Sequence, residues 1–349
     1  MAAVCLAIET SCDETAAAVV RYPAEVLSSV VSSQYVHAQY GGVVPELAAR
    51  AHMELLVPIV RQALADAGVP AAGVDLVCVT HTPGLLGALL TGLPFAKALA
   101  FGLNKPFVGV HHIEGHLFAV RLEHPDASPP FLAAVLSGGH TELLLVRDWC
   151  SYEELGSTLD DALGEAFDKS AKLLGLPYPG GAALEQLARS GRPTIPFPVS
   201  APTRESVPNV SSAHSPFPIP HYPTSLDFSF SGLKTAVLYY LRDHPDADRA
   251  DVAASFQTAA VASVLNRLNQ AIDRTGFSTV AVSGGVAANG FLRERLADLA
   301  ARRNLKLLIP RPGYCTDNAA MIGAAGLERF RRFGPSPFGL PATARTPLH

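Results

Sequence analysis

The chain is built from short apolar runs separated by polar, glycine-bearing turns. Residues 3–9 (AVCLAIE) and 15–20 (TAAAVV) flank the polar stretch TSCDE, a pattern that predicts a β-hairpin with hydroxyls and carboxylates at its tip. Residues 74–80 (VDLVCVT) read as a buried strand, followed by a glycine turn and a helix in HTPGLLGALLTGLPFAKALA. The same grammar returns later. FLAAVLSGGHTELLLV (131–146) is again strand, glycine turn, strand, and STVAVSGGVAANGFLRERLADLA (278–300) is again strand, glycine turn, helix. Two homologous α/β lobes with a cleft between them would produce this order; chance recurrence of common α/β parts is the alternative. GEAFDKSAKLLGL (164–176) predicts an amphipathic helix that starts with acids. Residues 193–223, rich in Pro and Ser and without a period, predict a long surface loop. The tail after Gly334 is expected not to be ordered throughout.

Composition narrows the class. The 349 residues are 48% hydrophobic and 17% charged, which suits about two domains with a large buried core. The net charge of −4 carries no nucleic-acid signature, so such a partner needs a local basic patch. One candidate lies between Asn289 and Pro335, where nine Lys/Arg face four acids; a solvated helix face is the plainer alternative. Five cysteines without C-x-x-C spacing argue against a disulfide framework or zinc ribbon and for a reducing, cytoplasmic setting. The first residues have no signal-peptide character. The apolar stretch Gly84–Leu103 contains Pro94 and Lys97 and reads as a buried helix, so no membrane partner is expected.

Three loops are built to approach an anion or nucleotide: LSGGHTE (136–142), YPGGAALE (178–185) and VSGGVAANG (282–290). They lack bulk where backbone N–H groups could meet phosphate, and the last opens a helix. None matches G-x-G-x-x-G or the P-loop pattern, which disfavours those enzyme classes. Asp168, near the start of its helix, could accept from ribose hydroxyls or simply offset the helix dipole. In LDFSFSGLKTA (226–236), buried aromatics with a polar edge are the default and a substrate-facing edge the sharper alternative.

GVHHIEGHLF (109–118) holds His111, His112 and His116. On a helix, His112 and His116 lie about 40° apart on one face, the separation two imidazoles need to share a metal. His111 is turned away and suits a contact to substrate or a loop. Glu114 falls about 200° from His112, which disfavours an H-E-x-x-H metalloprotease. The third ligand must come from elsewhere. Asp317, in CTDNAAM at a loop entering a helix, is the first choice and Asp13 the second. Histidines satisfied by ordinary hydrogen bonds are the structural alternative.

Nine motifs, in order, resemble the tRNA threonylcarbamoyladenosine transferase family, once called the O-sialoglycoprotein endopeptidase family. They are IETSCDETAAAVV, YGGVVPELAARAH, PGLLGALLTG, VHHIEGH, LSGGHTEL, DDALGEAFDKSAKLLGLPYPGG, LDFSFSGLKT, SGGVAANGFLRE and CTDNAAMIGAAG, from about Val4 to Phe330. The resemblance implies an α/β fold of the ASKHA (actin/Hsp70/sugar-kinase) type, with duplicated RNase H-like lobes around a nucleotide cleft. The lobes would span 1–130 and 131–317, a helix near 318–332 would pack back on the first, and 334–349 would form a tail. The implied reaction moves the threonylcarbamoyl group of threonylcarbamoyl-AMP to N6 of adenosine 37 in tRNAs reading codons that begin with A. The implied metal ligands are His112, His116 and Asp317, for iron(II) or alternatively zinc(II). Val135, Leu136, Ser137, Gly138, Gly139, Asp168, Gly181, Glu185 and Asn289 match the adenylate-binding positions. The implied partners are tRNA and small bacterial companion proteins, namely a degenerate ASKHA paralogue and a P-loop ATPase.

The donor is an activated mixed anhydride, so the enzyme needs positioning more than a nucleophile. Asp13 or Glu14 at the hairpin tip could take the N6 proton as a catalytic base. A non-catalytic ASKHA scaffold, an ASKHA sugar kinase and a metalloprotease are the competing classes; a separated His/His/Asp set argues against the scaffold.

Overall fold

The structure, a computed structural model, describes residues 3–34, 37, 40, 42–199 and 226–348, so most of the predicted 193–223 loop lies outside the described residues. β1 (Val4–Glu9) and β2 (Glu14–Arg21) form the predicted antiparallel hairpin, with Val4 opposite Arg21 and Glu9 opposite Ala16. Glu14 belongs to the strand, which leaves Thr10–Asp13 as the tip. β3 (Glu25–Ser33) extends the meander, and α1 (Pro45–Asp66) leads to β4 (Leu76–Thr82), parallel to β1. β4 starts two residues later than the apolar run, because Asp75 uses both its backbone N–H and its carboxylate to close onto Val4. α2 (Leu86–Leu103) then delivers β5 (Phe107–His111), parallel to β4. The first sheet has the order β3-β2-β1-β4-β5.

α3 (His112–Glu123) follows directly from β5. β6 (Phe131–Leu136), β7 (Thr141–Asp148) and β8 (Ser151–Ser157) make a second antiparallel meander. Among the described residues four helices follow: α4 (Leu163–Leu173), α5 (Gly180–Ala188), α6 (Ser231–Asp243) and α7 (Arg249–Thr275). β9 (Thr279–Ser283), α8 (Gly290–Arg303) and β10 (Lys306–Leu308) complete a second sheet of order β10-β9-β6-β7-β8. Central β6 pairs antiparallel with β7 and parallel with β9, as β1 does with β2 and β4. The repeat seen in sequence is therefore a repeat of topology. The short α9 (Pro312–Cys315) and then α10 (Ala319–Phe333) close the fold.

Strand alternation explains the layers. Leu6 and Ile8 of β1 face Leu56, Val60 and Leu93 of α1 and α2, while Cys5 and Ala7 point to the other face, onto Met321, Ile322 and Ala325 of α10. The small residues on this second face let α10 approach closely. α3 covers the second sheet, where Leu117, Phe118 and Val120 join Phe131, Ala133 and Val135. α3 and α10 thus lie together between the two sheets. Their contact is tight, because a Cβ at Gly115 would sit 2.7 Å from Ile322 Cδ1.

Two expectations change. α2 is long and apolar enough to cross a membrane, and is the only such helix among the described residues. It is not a fully buried helix either: one face packs on β4 and α1 while Leu90 and Phe101 are exposed. The tail, expected to lack order, runs along the outer edge of β5, where Ser336 N donates to Phe107 O at 2.9 Å and Gly109 N donates to Ser336 Oγ at 3.0 Å. The unpaired backbone of an edge strand supplies this order, and no side-chain period announces it.

Candidate active site and metal centre

The end of β5 and the start of α3 place the histidines. His111 has extended backbone (φ −77°, ψ 128°) and caps the helix, accepting from Ile113 N through its side chain. His112 and His116 follow on one face, their rings 4.8 Å apart and nearly perpendicular. Asp317 arrives from the other side, immediately before Asn318, which caps α10 by accepting from Met321 N. Asp317 Oδ1 lies 3.4 Å from His112 Nε2 and 3.3 Å from His116 Nε2. One ligand atom from each of the three falls within 4.8 Å of the others.

Glu9, which sequence reasoning missed, completes the arrangement. Its Oε2 lies 3.0 Å from His112 Nδ1 and accepts from Thr80 Oγ1 at 2.5 Å, while its Oε1 accepts from Ser11 N at 2.5 Å. Ser11 Oγ is a second neighbour of His112 Nδ1, at 3.1 Å. Burial alone would lower the pKa of His112, but the carboxylates of Asp317 and Glu9 hold it well above the usual histidine range. Burial opposes ionisation of Asp317 and Glu9 as well, yet His112 keeps both below the usual carboxylate range. His116 is different: it is fully buried, burial lowers its pKa, and neither ring nitrogen has a hydrogen bond. Its Nε2 approaches Asp317 without hydrogen-bond alignment. An orphaned buried imidazole costs about 1–3 kcal/mol, and a cation shared with His112 and Asp317 would remove that cost. Two imidazoles and a carboxylate are suitable donors for a divalent metal.

Glu114 faces the opposite way, as its helical angle requires. It is fully buried, takes Arg329 Nη1 at 3.1 and 3.2 Å, and accepts from Tyr152 Oη at 2.9 Å. It therefore cannot serve a metal-bound water.

At the first residue of β2, burial followed by the charges of Asp317 and Asp13 pushes Glu14 up to about 10. Asp13, the second choice for a metal ligand, is not part of the triad. Burial raises Asp168 against the hydrogen bonds from Gly180 N and Gly181 N, and raises Tyr178; the charge of Asp13 adds to both.

The glycine turns line the facing lobe. Val135 and Leu136 end β6, and the turn Ser137–His140 closes when Ser137 N donates to His140 O at 2.8 Å. A Cβ at Gly138, Gly139 or Gly181 would meet nothing within 4 Å, so these backbones stand open. Gly284, at φ +92°, lies against the Leu136 carbonyl and draws the β9 turn to the β6 turn. Asp168 Oδ1 accepts from Gly180 N at 2.8 Å and Gly181 N at 3.1 Å, so this oxygen caps α5 and is already engaged. Glu185 Oε1 accepts from Gly290 N at 3.1 Å. Asn289 caps α8 through Leu292 N at 2.9 Å and donates to Gln257 Oε1 at 3.0 Å. A cleft of about 390 Å³ opens beside them, lined by Glu185, Arg189, Gln257, Gly290 and Phe291. Burial, then the charges of His112, His116 and His111, pushes His140 in this turn down to about 3. Its place in SGGHTE was the only signal for it.

The remaining motifs are structural. Leu226, Phe228 and Phe230 are buried, and Asp160 accepts from Ser229, Ser231 and Phe230 N at the start of α6. In the basic stretch, Arg295, Arg303, Lys306, Arg311, Arg329, Arg331 and Arg332 each face a carboxylate. Arg293 donates to the Ala287 and Pro310 carbonyls. The excess of cations in sequence is largely neutralised in the fold, in favour of the solvated-face alternative.

Two α/β sheets of matching strand order, open glycine turns on one side and a His/His/Asp triad that could hold a metal define the class of protein. The sequence matches the family described as TsaD, tRNA N6-adenosine threonylcarbamoyltransferase, over residues 25–324. Proteins of that description are 50% identical in Trichlorobacter lovleyi, over 99% of this chain and 97% of the relative, and 51% identical in Geobacter sp. (strain M21), over 92% and 90%. The chain belongs to the tRNA N6-adenosine threonylcarbamoyltransferase family. Its fold is shared with distant structures. T. kodakarensis HypF superposes with TM-score 0.61 at 16% identity, over 95% of this chain and 48% of HypF. Component A of the Acidaminococcus fermentans (R)-2-hydroxyglutaryl-CoA dehydratase superposes with TM-score 0.55 at 12% identity, over 94% and 98%.

Proposed function

We propose that this chain transfers the threonylcarbamoyl group of threonylcarbamoyl-AMP to N6 of adenosine 37 in tRNAs that read codons beginning with A, releasing AMP. Family membership supports the reaction. The observation that carries its placement here is the His112/His116/Asp317 cluster, with both histidines buried and the His116 ring nitrogens without a hydrogen bond. The two sheets are the duplicated RNase H-like lobes of an ASKHA fold, 1–130 with α10 packed back on it and 131–317; the matching strand orders support this.

The adenylate lies along Val135–Gly139, Asp168, Gly181, Glu185 and Asn289. The open turns offer backbone N–H groups to phosphate, and the α8 N-terminus adds its dipole. Holding AMP there fixes the carbonyl near the triad and turns a poor amine nucleophile into a well-placed one. A divalent cation held by His112, His116 and Asp317, iron(II) or alternatively zinc(II), supplies Lewis acidity toward the carbonyl or the leaving phosphate when bound. Asp13 or Glu14 takes the N6 proton. Burial first, and then the charges of Asp317 and Asp13, favour the protonated form of Glu14, so its service as a base requires those effects to be relieved when substrate binds. The target adenosine unstacks from the anticodon loop to enter. A degenerate ASKHA paralogue and a P-loop ATPase are the companions, and the substrates place the reaction in the cytoplasm.

The test is a reconstitution. Unmodified tRNA, threonine, bicarbonate and ATP are combined with the donor-forming enzyme and the companion proteins, and the nucleosides are read by mass spectrometry. Threonylcarbamoyladenosine is expected with the wild-type chain and not with His112→Ala. Product with both variants would reduce the histidines to structure, and product with neither would favour the scaffold class.

A further inference from the structure

The segment after α10 has no part in the chemistry above, yet it is tied down along its length. Beyond Ser336, Lys97 Nζ donates to Leu340 O at 2.6 Å, His81 Nδ1 to Pro341 O at 3.2 Å, and Gly84 N to Ala344 O at 3.2 Å. The Phe338 ring sits 5.2 Å from Phe107, and Leu340 fills the space over Gly109. This run reaches the residue that caps α3. His111 Nε2 lies 2.9 Å from Thr346 O, and Thr346 Oγ1 lies 3.0 Å from Thr82 Oγ1.

A carbonyl oxygen only accepts, so the proton between His111 and Thr346 resides on Nε2. In a neutral imidazole this leaves Nδ1 as an acceptor. Nδ1 does accept, from Ile113 N at 3.3 Å, and that bond caps α3. The next residue is His112, and His116 is one turn on. We propose that Thr346 is a positioning residue for the metal centre: its carbonyl fixes the Nε2–H tautomer of His111, and that tautomer caps the helix presenting His112 and His116. With the proton on Nδ1 instead, two N–H groups would face each other and the first turn of α3 would lose its cap.

A chain stopped after Thr343 keeps the Ser336 and Leu340 contacts and loses Thr346. Zn²⁺ alone is titrated against a chelating indicator, and the His111 tautomer is read by long-range ¹⁵N–¹H NMR on metal-free protein. Zn²⁺ affinity is expected to fall about 10-fold, with loss of the Nε2–H signature and faster hydrogen exchange in the first turn of α3. Asparagine places an oxygen where Nδ1 sits and caps without help from the tail, so His111→Asn should bind Zn²⁺ equally in full and shortened chains. Unchanged affinity and tautomer on shortening would overturn the proposal. So would an equal loss in the His111→Asn background, which would make the tail a general stabiliser. Should the shortened chain not fold, full-length His111→Asn is compared with His111→Gln, which reaches Thr346 O but not Ile113 N. The glutamine variant is expected to bind about 10-fold more weakly, and equal affinities overturn the idea. The affinity readout rests on the proposed metal site. If the wild-type chain binds no Zn²⁺, that site fails, and a tautomer unchanged by shortening would then sink the strap by itself.

Discussion

His112 is held from both sides, with Nδ1 3.0 Å from Glu9 Oε2 and Nε2 3.4 Å from Asp317 Oδ1. One imidazole thus links the last residue of a central strand to the residue that precedes the cap of the closing helix. A carboxylate on the far nitrogen fixes ring orientation and makes the near nitrogen a better donor.

Replacing that carboxylate should be felt in metal binding before it is felt in folding. Glu9→Gln preserves size and an acceptor oxygen but removes the charge. Affinity for Zn²⁺ should fall about 10–100-fold, measured by competition with a chelator, while circular dichroism remains native. Unaltered affinity would mean that Glu9 only fills space.

Metal binding should release protons. Without metal, Asp317 and Glu9 hold His112 well above its usual range, so it is protonated at neutral pH, and that proton must leave for Nε2 to ligate. Calorimetry at pH 7 in buffers of different ionisation enthalpy should report about one proton released per site, with affinity rising as pH rises toward the His112 value. The stability signs follow. The raised His112 stabilises the metal-free chain fully below its unfolded value of about 6.5 and loses that contribution as pH climbs through its folded value. Glu9 and Asp317, both depressed, contribute above about 4 and lose it as pH falls through their folded values. Buffer-independent enthalpies would contradict the protonated His112.

The ion pair of Glu114 with Arg329 clamps α3 to α10, the two helices that present the ligands. Arg329→Met would leave a fully buried carboxylate without its cation. Because Arg329 is 31% exposed, the cost should fall below that of a fully buried pair, about 2–3 kcal/mol. Urea unfolding measures it, and Glu114→Gln should cost less, since it removes the charge that needs a partner. A larger loss in Glu114→Gln than in Arg329→Met would reverse this account.

Much of the site was legible in sequence because it is local. His112 and His116 sit one helical turn apart, and the glycine turns announce themselves where apolar strands stop. Asp317 could be chosen because a buried run followed by a polar loop marks the entry to a helix. Glu9 could not, since it is 103 residues from His112 and its role depends on β1 lying next but one to β5, across β4. The ion pairs of the α10 arginines were hidden for the same reason, as charge counts do not show that Glu114, Glu328 and Asp148 wait across the fold. The tail was misjudged because its order comes from backbone bonds to an edge strand, and such bonds leave no hydrophobic period.

The glycine turn allows the sharpest separation of fold from function. Gly138 has open space where a Cβ would stand and is not at positive φ, so neither sterics nor backbone strain opposes a side chain there in the free protein. Its neighbours nonetheless tie the turn to α4: Glu165 N donates to Gly138 O at 3.1 Å and Gly164 N to Ser137 O at 3.2 Å. The turn is therefore held to α4 by backbone bonds, and its open space is available to the proposed adenylate. Gly138→Val should shift stability by no more than about 1 kcal/mol, as expected for an unstrained surface change, yet reduce AMP affinity at least about 10-fold by covering the backbone N–H groups. Thermal melts and equilibrium binding of AMP measure the two arms. A variant that binds AMP normally would move the phosphate away from this turn. A variant that unfolds would show that the space at Gly138 belongs to packing after all.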